Sequence, residues 1–92
     1  MPDTITVDKI SSDIIIGRPH NVVLFNDENH SMEEVVDQID KAIHCGKGTA
    51  TAIMMEAHRT GRAIVYTGGL ERCELVAAVL EEIRLGVKVE PV

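Results

Sequence analysis

The sequence is nearly devoid of aromatic residues, with one Phe, one Tyr and no Trp. It therefore lacks the set of aromatic side chains on which single-stranded nucleic acids stack. Basic residues are also few: nine Lys and Arg stand against fifteen Asp and Glu, which gives a formal net charge of −6. Because a negative surface repels phosphate backbones, these two shortages argue against a nucleic-acid partner and favour a cationic one.

Long apolar runs are missing as well. No stretch approaches the roughly 20 apolar residues that span a bilayer, so membrane insertion is not expected. The first residues, "MPDTITVDK", lack the basic region and apolar core of a secretory signal, and a cytoplasmic location is the resulting expectation. Cys45 and Cys73 form no CxxC motif, which predicts two free thiols, buried or half-buried, in a reducing compartment.

The motifs of common catalytic and metal sites are also absent. The four histidines have neither HxxxH nor HExxH spacing, so no metal or other cofactor is expected. No nucleophile elbow surrounds either cysteine, and the adjacent carboxylates of Asp27 and Glu28 would point to opposite sides of an extended segment. An enzyme is therefore the least expected class of protein.

A chain of 92 residues is long enough for one small domain. Residues 1–20 mix short apolar bursts with Ser, Asp, Gly and Pro and are predicted to form an N-terminal arm, with a candidate short strand at residues 14–16. Residues 21–92 are predicted to form the core domain. Its first strand is the apolar run at residues 22–25, of the length expected for a strand buried on both faces.

Three helices and two further strands are predicted after this strand. Ser31 and Glu34 have the spacing of a capping box, which predicts a first helix over residues 32–44 that stops near Gly46. A second helix is predicted with Gly48 or Thr49 as its N-terminal cap and with Gly61 closing it. The remaining elements are a strand at residues 62–67, a helix that begins at residue 67 or 69 and runs to residue 86, and a strand at residues 87–92.

The predicted order is β-α-α-β-α-β. With strands of this number and helices of this length, the order indicates an α+β protein. Its architecture would be a two-layer α/β sandwich, in which the helices cover one face of a three-stranded antiparallel sheet.

A candidate binding site lies in the stretch "NDENH", because side chains in the turn after a strand project from a rigid scaffold. If the first two helices pack as a hairpin, the start of the first approaches the end of the second, where His58 borders the apolar face. Asn26, Asp27 and His58 would then form a polar rim beside an apolar well of Met32, Val35, Met54 and Ala57. The alternative is that Asn26 and Asp27 are turn residues whose side chains accept backbone N–H groups.

Three stretches together, "NVVLFNDENHSMEEVV", "ATAIMMEAHRTGRAIVYT" and "VKVEP", resemble the ClpS family over residues 19–92. The resemblance implies the same fold and an adaptor that hands N-degron substrates to a Clp AAA+ ATPase of the ClpA or ClpC type. Its pocket would accept a first side chain of Leu, Phe, Tyr or Trp while polar groups hold the free α-amine.

Carried over by position, the resemblance assigns individual roles. It implies that Asn26, Asp27 and His58 bind the amine and that the pocket wall includes Leu85 in addition to Met32, Val35, Met54 and Ala57. An α-amine is mostly cationic at neutral pH, which matches a carboxylate and neutral acceptors.

The chain departs from the family pattern at several positions. Glu28 and His30 lie in the loop where the family commonly has Asp-Tyr-Thr-Pro, so contacts to the second substrate residue differ. Ala57 replaces a common Val and enlarges the well, and Gly68 and Gly69 replace Arg-Glu, which changes the charged contacts available to an ATPase.

Two other interpretations remain beside the adaptor. One is a ClpS-like peptide-binding module with altered ligand specificity or without a protease partner. The other is a ribosomal stalk-type interaction domain of similar fold, which would require a basic helical face. The net charge of −6 disfavours the ribosomal interpretation.

Overall fold

The computed structural model describes residues 17–92. The elements in chain order are β1 (His20–Phe25), α1 (Met32–Ile43), α2 (Lys47–Thr60), β2 (Arg62–Gly68), α3 (Leu70–Glu81) and β3 (Val87–Pro91). Both sheet pairings are antiparallel, in the order β2-β1-β3. The predicted α+β sandwich with a three-stranded antiparallel sheet is confirmed. The candidate strand at residues 14–16, and most of the predicted arm, lie outside the described residues.

The central strand β1 is buried on both faces, as its apolar run predicts. Val22 and Leu24 belong to the core that packs against the helices, whereas Val23 faces the other side of the sheet, opposite Ile64 and Lys88. All three β1 residues are at most 1% exposed. A central strand between two neighbours can be covered on its outer face by their side chains, which explains a continuous rather than alternating apolar pattern.

Helix α1 begins where the capping box predicts. The Ser31 hydroxyl accepts the Glu34 backbone N–H at 3.1 Å, and the Glu34 carboxylate accepts the Ser31 N–H at 2.9 Å. The helix ends at Ile43 because His44 adopts the left-handed conformation, with φ of 53°. The end predicted at residue 44 is therefore one residue too late.

Helix α2 begins earlier than predicted, at Lys47 rather than after Gly48 or Thr49. The cause is a set of contacts to α1: the Asp40 carboxylate accepts the Gly46 N–H at 2.8 Å, and the Lys47 ammonium contacts Asp37 at 2.7 Å. Gly46 has φ of 87°, a conformation that glycine adopts without a steric penalty. At the other end Gly61 closes the helix as predicted, with its N–H bonded to the Ala57 carbonyl at 2.9 Å.

Helix α3 begins after Gly69, one of the two predicted starts, but ends at Glu81 rather than near Gly86. The Gln38 side chain from α1 donates to the Val79 carbonyl at 2.6 Å and to the Glu82 carboxylate at 3.1 Å. Tighter turns follow, and Arg84 has φ of 65°. This reversal turns Leu85 into the core, where it is 3% exposed.

Both cysteines are free, as predicted: Cys73 is buried and Cys45 is half-buried. Burial raises the pKa of the Cys73 thiol. None of the helices within residues 17–92 combines the length and apolar character needed to cross a membrane.

Candidate functional site

The loop between β1 and α1 is anchored to the end of α2 by the backbone. The Asn26 N–H donates to the Gly61 carbonyl at 3.0 Å, and the preceding Phe25 N–H donates to the Gly86 carbonyl at 2.9 Å. Because Gly61 closes α2 only three residues after His58, this bond brings the last turn of α2 beside the loop. The structure therefore brings together the two parts of the site that are far apart in sequence.

A cavity of ≈ 250 Å³ lies at this junction. Its polar lining comes from the loop and from α2, and its apolar lining from the end of β1 and the facing sides of α1 and α2. The polar residues are Asn26, Asp27, Glu28, His30 and His58, and the apolar residues are Leu24, Phe25, Met32, Val35, Met54 and Ala57.

The residues of the predicted apolar well differ in exposure. Val35, Met54 and Ala57 are buried, at 5%, 7% and 3% exposure, and form a fixed wall. Met32 is 52% exposed and stands at the mouth. Because a methionine side chain is unbranched and adaptable, Met32 can change its position to suit an incoming group.

The family resemblance predicts Leu85 in the pocket wall, and this assignment stays a prediction. Leu85 is buried in the hydrophobic core and is not among the residues that line the cavity. The early end of α3 accounts for this, because the turn after Glu81 directs Leu85 inward. Conversely, Leu24 and Phe25 line the cavity although sequence reasoning did not name them. Their position at the end of β1, directly before the polar loop, is the signal that would have indicated them.

Asp27 organises the loop. One carboxylate oxygen, Oδ1, accepts the backbone N–H groups of Asn29 and His30, at 2.5 and 3.0 Å. The other, Oδ2, lies 2.7 Å from Nδ1 of His30. An ionised carboxylate only accepts, so Nδ1 carries the hydrogen and donates it. The interpretation of Asp27 as a turn residue is therefore correct in geometry.

This bonding leaves Asp27 charged and still able to bind a cation. Burial raises the pKa of Asp27, but hydrogen bonds from the Asn29 backbone, the His30 imidazole and the His30 backbone outweigh it, so the pKa lies below its ordinary value. Two carboxylate oxygens offer about four acceptor positions, of which three are used. One acceptor position on Oδ2 remains. The Asp27 side chain is 9% exposed and lies in the cavity lining.

The rest of the mouth is also acidic or neutral. The Asn26 amide donates to Glu28 at 3.4 Å, which directs the amide oxygen away from that carboxylate. The carboxylates of Asp27 and Glu28 stand at the mouth together with the imidazoles of His30 and His58. Within the part of the chain that the structure describes, no group of three or more His, Cys, Asp or Glu side chains is placed to hold a metal ion. The arrangement matches a ligand with an ammonium group beside an apolar group.

Comparisons with known proteins identify the family. Residues 17–86 match the family model described as ATP-dependent Clp protease adaptor protein ClpS. The ATP-dependent Clp protease adapter protein ClpS of Acetivibrio thermocellus is 29% identical over 94 residues, which cover 94% of this chain and 95% of that protein. The protein of the same name from a Synechococcus strain is 32% identical over 73 residues, covering 78% of this chain and 70% of the relative.

Much larger proteins contain a similar segment. The E3 ubiquitin-protein ligase UBR1 of Drosophila melanogaster is 31% identical over 65 residues, or 71% of this chain. The chain spans only 4% of the length of that ligase.

Among solved structures, the chain is similar to Agrobacterium tumefaciens ClpS2 bound to L-phenylalaninamide. The TM-score is 0.77 at 25% identity, with 82% of this chain and 98% of the other covered. The family match over residues 17–86, together with this shared fold, shows that the chain belongs to the ClpS family of Clp protease adaptor proteins.

Proposed function

We propose that this protein binds the free α-amine and the large hydrophobic first side chain of N-degron substrates and delivers them to a Clp AAA+ unfoldase of the ClpA or ClpC type. The observation that carries the proposal is the cavity, in which an apolar well stands beside an ionised carboxylate. It acts as an adaptor and not as an enzyme, and it acts in the cytoplasm.

The size of the well supports a large first side chain. A cavity of roughly 150 Å³ accommodates a benzene molecule, so ≈ 250 Å³ accommodates the ring of Phe or Tyr, or a Leu side chain, with room remaining. Burying such a side chain contributes about 1.5 to 3 kcal/mol. The related ClpS2 protein was solved with L-phenylalaninamide, a ligand that combines an aromatic side chain with a free amine.

The acidic mouth supports selection of a free N-terminus. An ammonium group donates three hydrogen bonds and matches the remaining Asp27 acceptor position, the Asn26 amide oxygen and a neutral His58 nitrogen. Glu28 adds negative charge at the mouth, and the His30 imidazole takes the position from which a family threonine would contact the peptide backbone. A charge-assisted hydrogen bond contributes about 1.5 to 3 kcal/mol. An acetylated residue places an amide carbonyl against Asp27 and loses this contribution.

Titration with peptide ligands tests the proposal. L-Phenylalaninamide, peptides that begin with Leu, Phe, Tyr, Trp or Ile, and N-acetyl-phenylalaninamide would be compared by isothermal titration calorimetry. We expect binding of the free-amine ligands and at least tenfold weaker binding of the acetylated one. Equal affinity for the free and acetylated forms would remove the proposed function.

Delivery is a separate question with its own assay. A fluorescent protein that begins with Phe would be degraded by a ClpA or ClpC type ATPase with its protease, with and without this protein. We expect faster degradation in its presence. Binding of the peptides without any acceleration would favour a peptide-binding module that has no protease partner.

A further inference from the structure

A second groove of ≈ 400 Å³ lies between α1 and α2, next to the cavity. It is open to solvent, and its floor is apolar. The groove is lined by Met32, Glu33, Val36, Asp37, Lys47, Thr51, Met54 and Met55. Met32 and Met54 line the cavity as well, so the two depressions share a wall and form one continuous surface.

The spacing of the two depressions matches an extended peptide. Val36 is one helical turn beyond Met32, which places the middle of the groove about 6 Å along α1 from the mouth of the cavity. In an extended peptide, side chains alternate in direction and residues advance about 3.3 Å each, so the first and third side chains lie about 7 Å apart on the same side. A peptide whose first side chain fills the cavity, and whose chain runs along α1, would therefore reach the groove with its third side chain.

The residues that line the groove indicate which type of third side chain it would accept. Val36, Met54 and Met55 offer an apolar floor, and two methionines adapt to different aliphatic shapes. The charged residues that line the groove are Glu33, Asp37 and Lys47. Because Lys47 is already paired with Asp37 at 2.7 Å and with Asp40 at 3.4 Å, the rim is acidic. An acidic third residue would face this rim and be disfavoured.

We propose that the groove between α1 and α2 is a binding site for the third residue of the substrate peptide and that it selects an aliphatic side chain or methionine. This inference rests on the proposed function, since the first residue must occupy the cavity. The second side chain points away from the surface and contributes little to the choice of substrate.

Four peptides of equal length test the position dependence. They begin Phe-Ser-Ser, Phe-Ser-Leu, Phe-Leu-Ser and Phe-Ser-Glu and are otherwise identical. Leucine at the third position is expected to lower the Kd about threefold to tenfold relative to serine. Leucine at the second position is expected to change the Kd less than twofold, and glutamate at the third position to raise it. Equal Kd values for Phe-Ser-Leu and Phe-Leu-Ser would overturn the inference.

A pair of variants locates the effect in the groove. Thr51 is exposed and lines the groove, whereas Ala52 is exposed on the same helix and is not part of the lining. Thr51→Glu is expected to abolish the gain from leucine at the third position, while Ala52→Glu, with the same added charge, retains it. A gain of equal size in both variants would assign it to another surface and overturn the inference.

The two proposals fail in different ways. L-Phenylalaninamide has no third residue, so both variants are expected to bind it as the wild type does. If wild-type protein does not distinguish this ligand from its acetylated form, the proposed function fails. If it does distinguish them but ignores the third residue, only the inference about the groove fails.

Discussion

Replacing Asp27 by Asn separates the two roles that the structure gives this side chain. The Asn oxygen can still accept the backbone N–H groups of Asn29 and His30, which Asp27 accepts at 2.5 and 3.0 Å. The amide nitrogen then takes the position of Oδ2, and a neutral His30 can present Nδ1 to it as an acceptor in its other tautomer. Asp27→Asn therefore keeps the turn and removes the charge.

The size of the expected effect follows from the lost charge. A charge-assisted hydrogen bond contributes about 1.5 to 3 kcal/mol, so the affinity for L-phenylalaninamide should fall about tenfold to 150-fold. The free energy of unfolding should change by less than about 1 kcal/mol, because the turn keeps its hydrogen bonds. Asp27→Ala should show the same loss of affinity and a loss of about 1 to 3 kcal/mol in stability, since it leaves both backbone N–H groups without their acceptor.

Two ligands complete the experiment. L-Phenylalaninamide and 3-phenylpropanamide differ only in the amine and would be titrated into the wild type and both variants by calorimetry, with urea denaturation to measure stability. We expect the wild type to prefer the amine ligand and Asp27→Asn to lose most of that preference. If Asp27→Asn binds both ligands as the wild type does, the carboxylate only holds the turn, and its assignment to amine binding is wrong.

Three further predictions follow from the site and the core. Ala57→Val narrows the well at a residue that is 3% exposed, so the affinity for peptides beginning with Trp should fall more than for those beginning with Leu; equal losses would contradict the assignment of Ala57 to the wall. Because the folded-state pKa of Asp27 is lowered from 3.8, the contribution of this carboxylate to stability is present above pH 3.8 and is lost as the pH falls through the folded-state pKa. Peptide binding should instead weaken above about pH 8, where the α-amine of the peptide loses its proton. An affinity that does not change between about pH 7 and pH 10 would contradict the amine site. Leu80→Ala should cost about 2 to 5 kcal/mol of stability by urea denaturation, because Leu80 is 0% exposed in the core, whereas a loss below 1 kcal/mol would mean that the site can repack.

The sequence predicts well those elements that local chemistry controls. The capping box of Ser31 and Glu34 lies within one turn, so its spacing alone places the start of α1. Gly61 likewise ends α2 through a bond to the Ala57 carbonyl in its own last turn. In both cases the residues that determine the boundary are near neighbours in the chain.

The errors arise where distant residues decide a boundary. The start of α2 depends on the Asp40 carboxylate, six residues before Gly46, and the end of α3 depends on Gln38, 41 residues before Val79. A periodicity argument extends α3 through Leu85 because nothing in that segment predicts the reversal. The assignment of Leu85 to the pocket wall rests on the family resemblance and not on this helix boundary.

Asp27 is a turn residue in the structure, and its geometry also suits the amine-binding role that we propose for it. Asp27 accepts the bonds of a turn, and those same bonds hold its pKa below the ordinary range, so the turn keeps the carboxylate ionised in a position where it is mostly buried. The His30 imidazole, 2.7 Å from Oδ2, occupies one acceptor position of that oxygen, and Asp27 lines the cavity. A freely rotating aspartate would have to be ordered on binding, which costs free energy. Because the loop already holds the Asp27 carboxylate in one position, this side chain is ordered during folding. Its charge is therefore in place before a ligand binds.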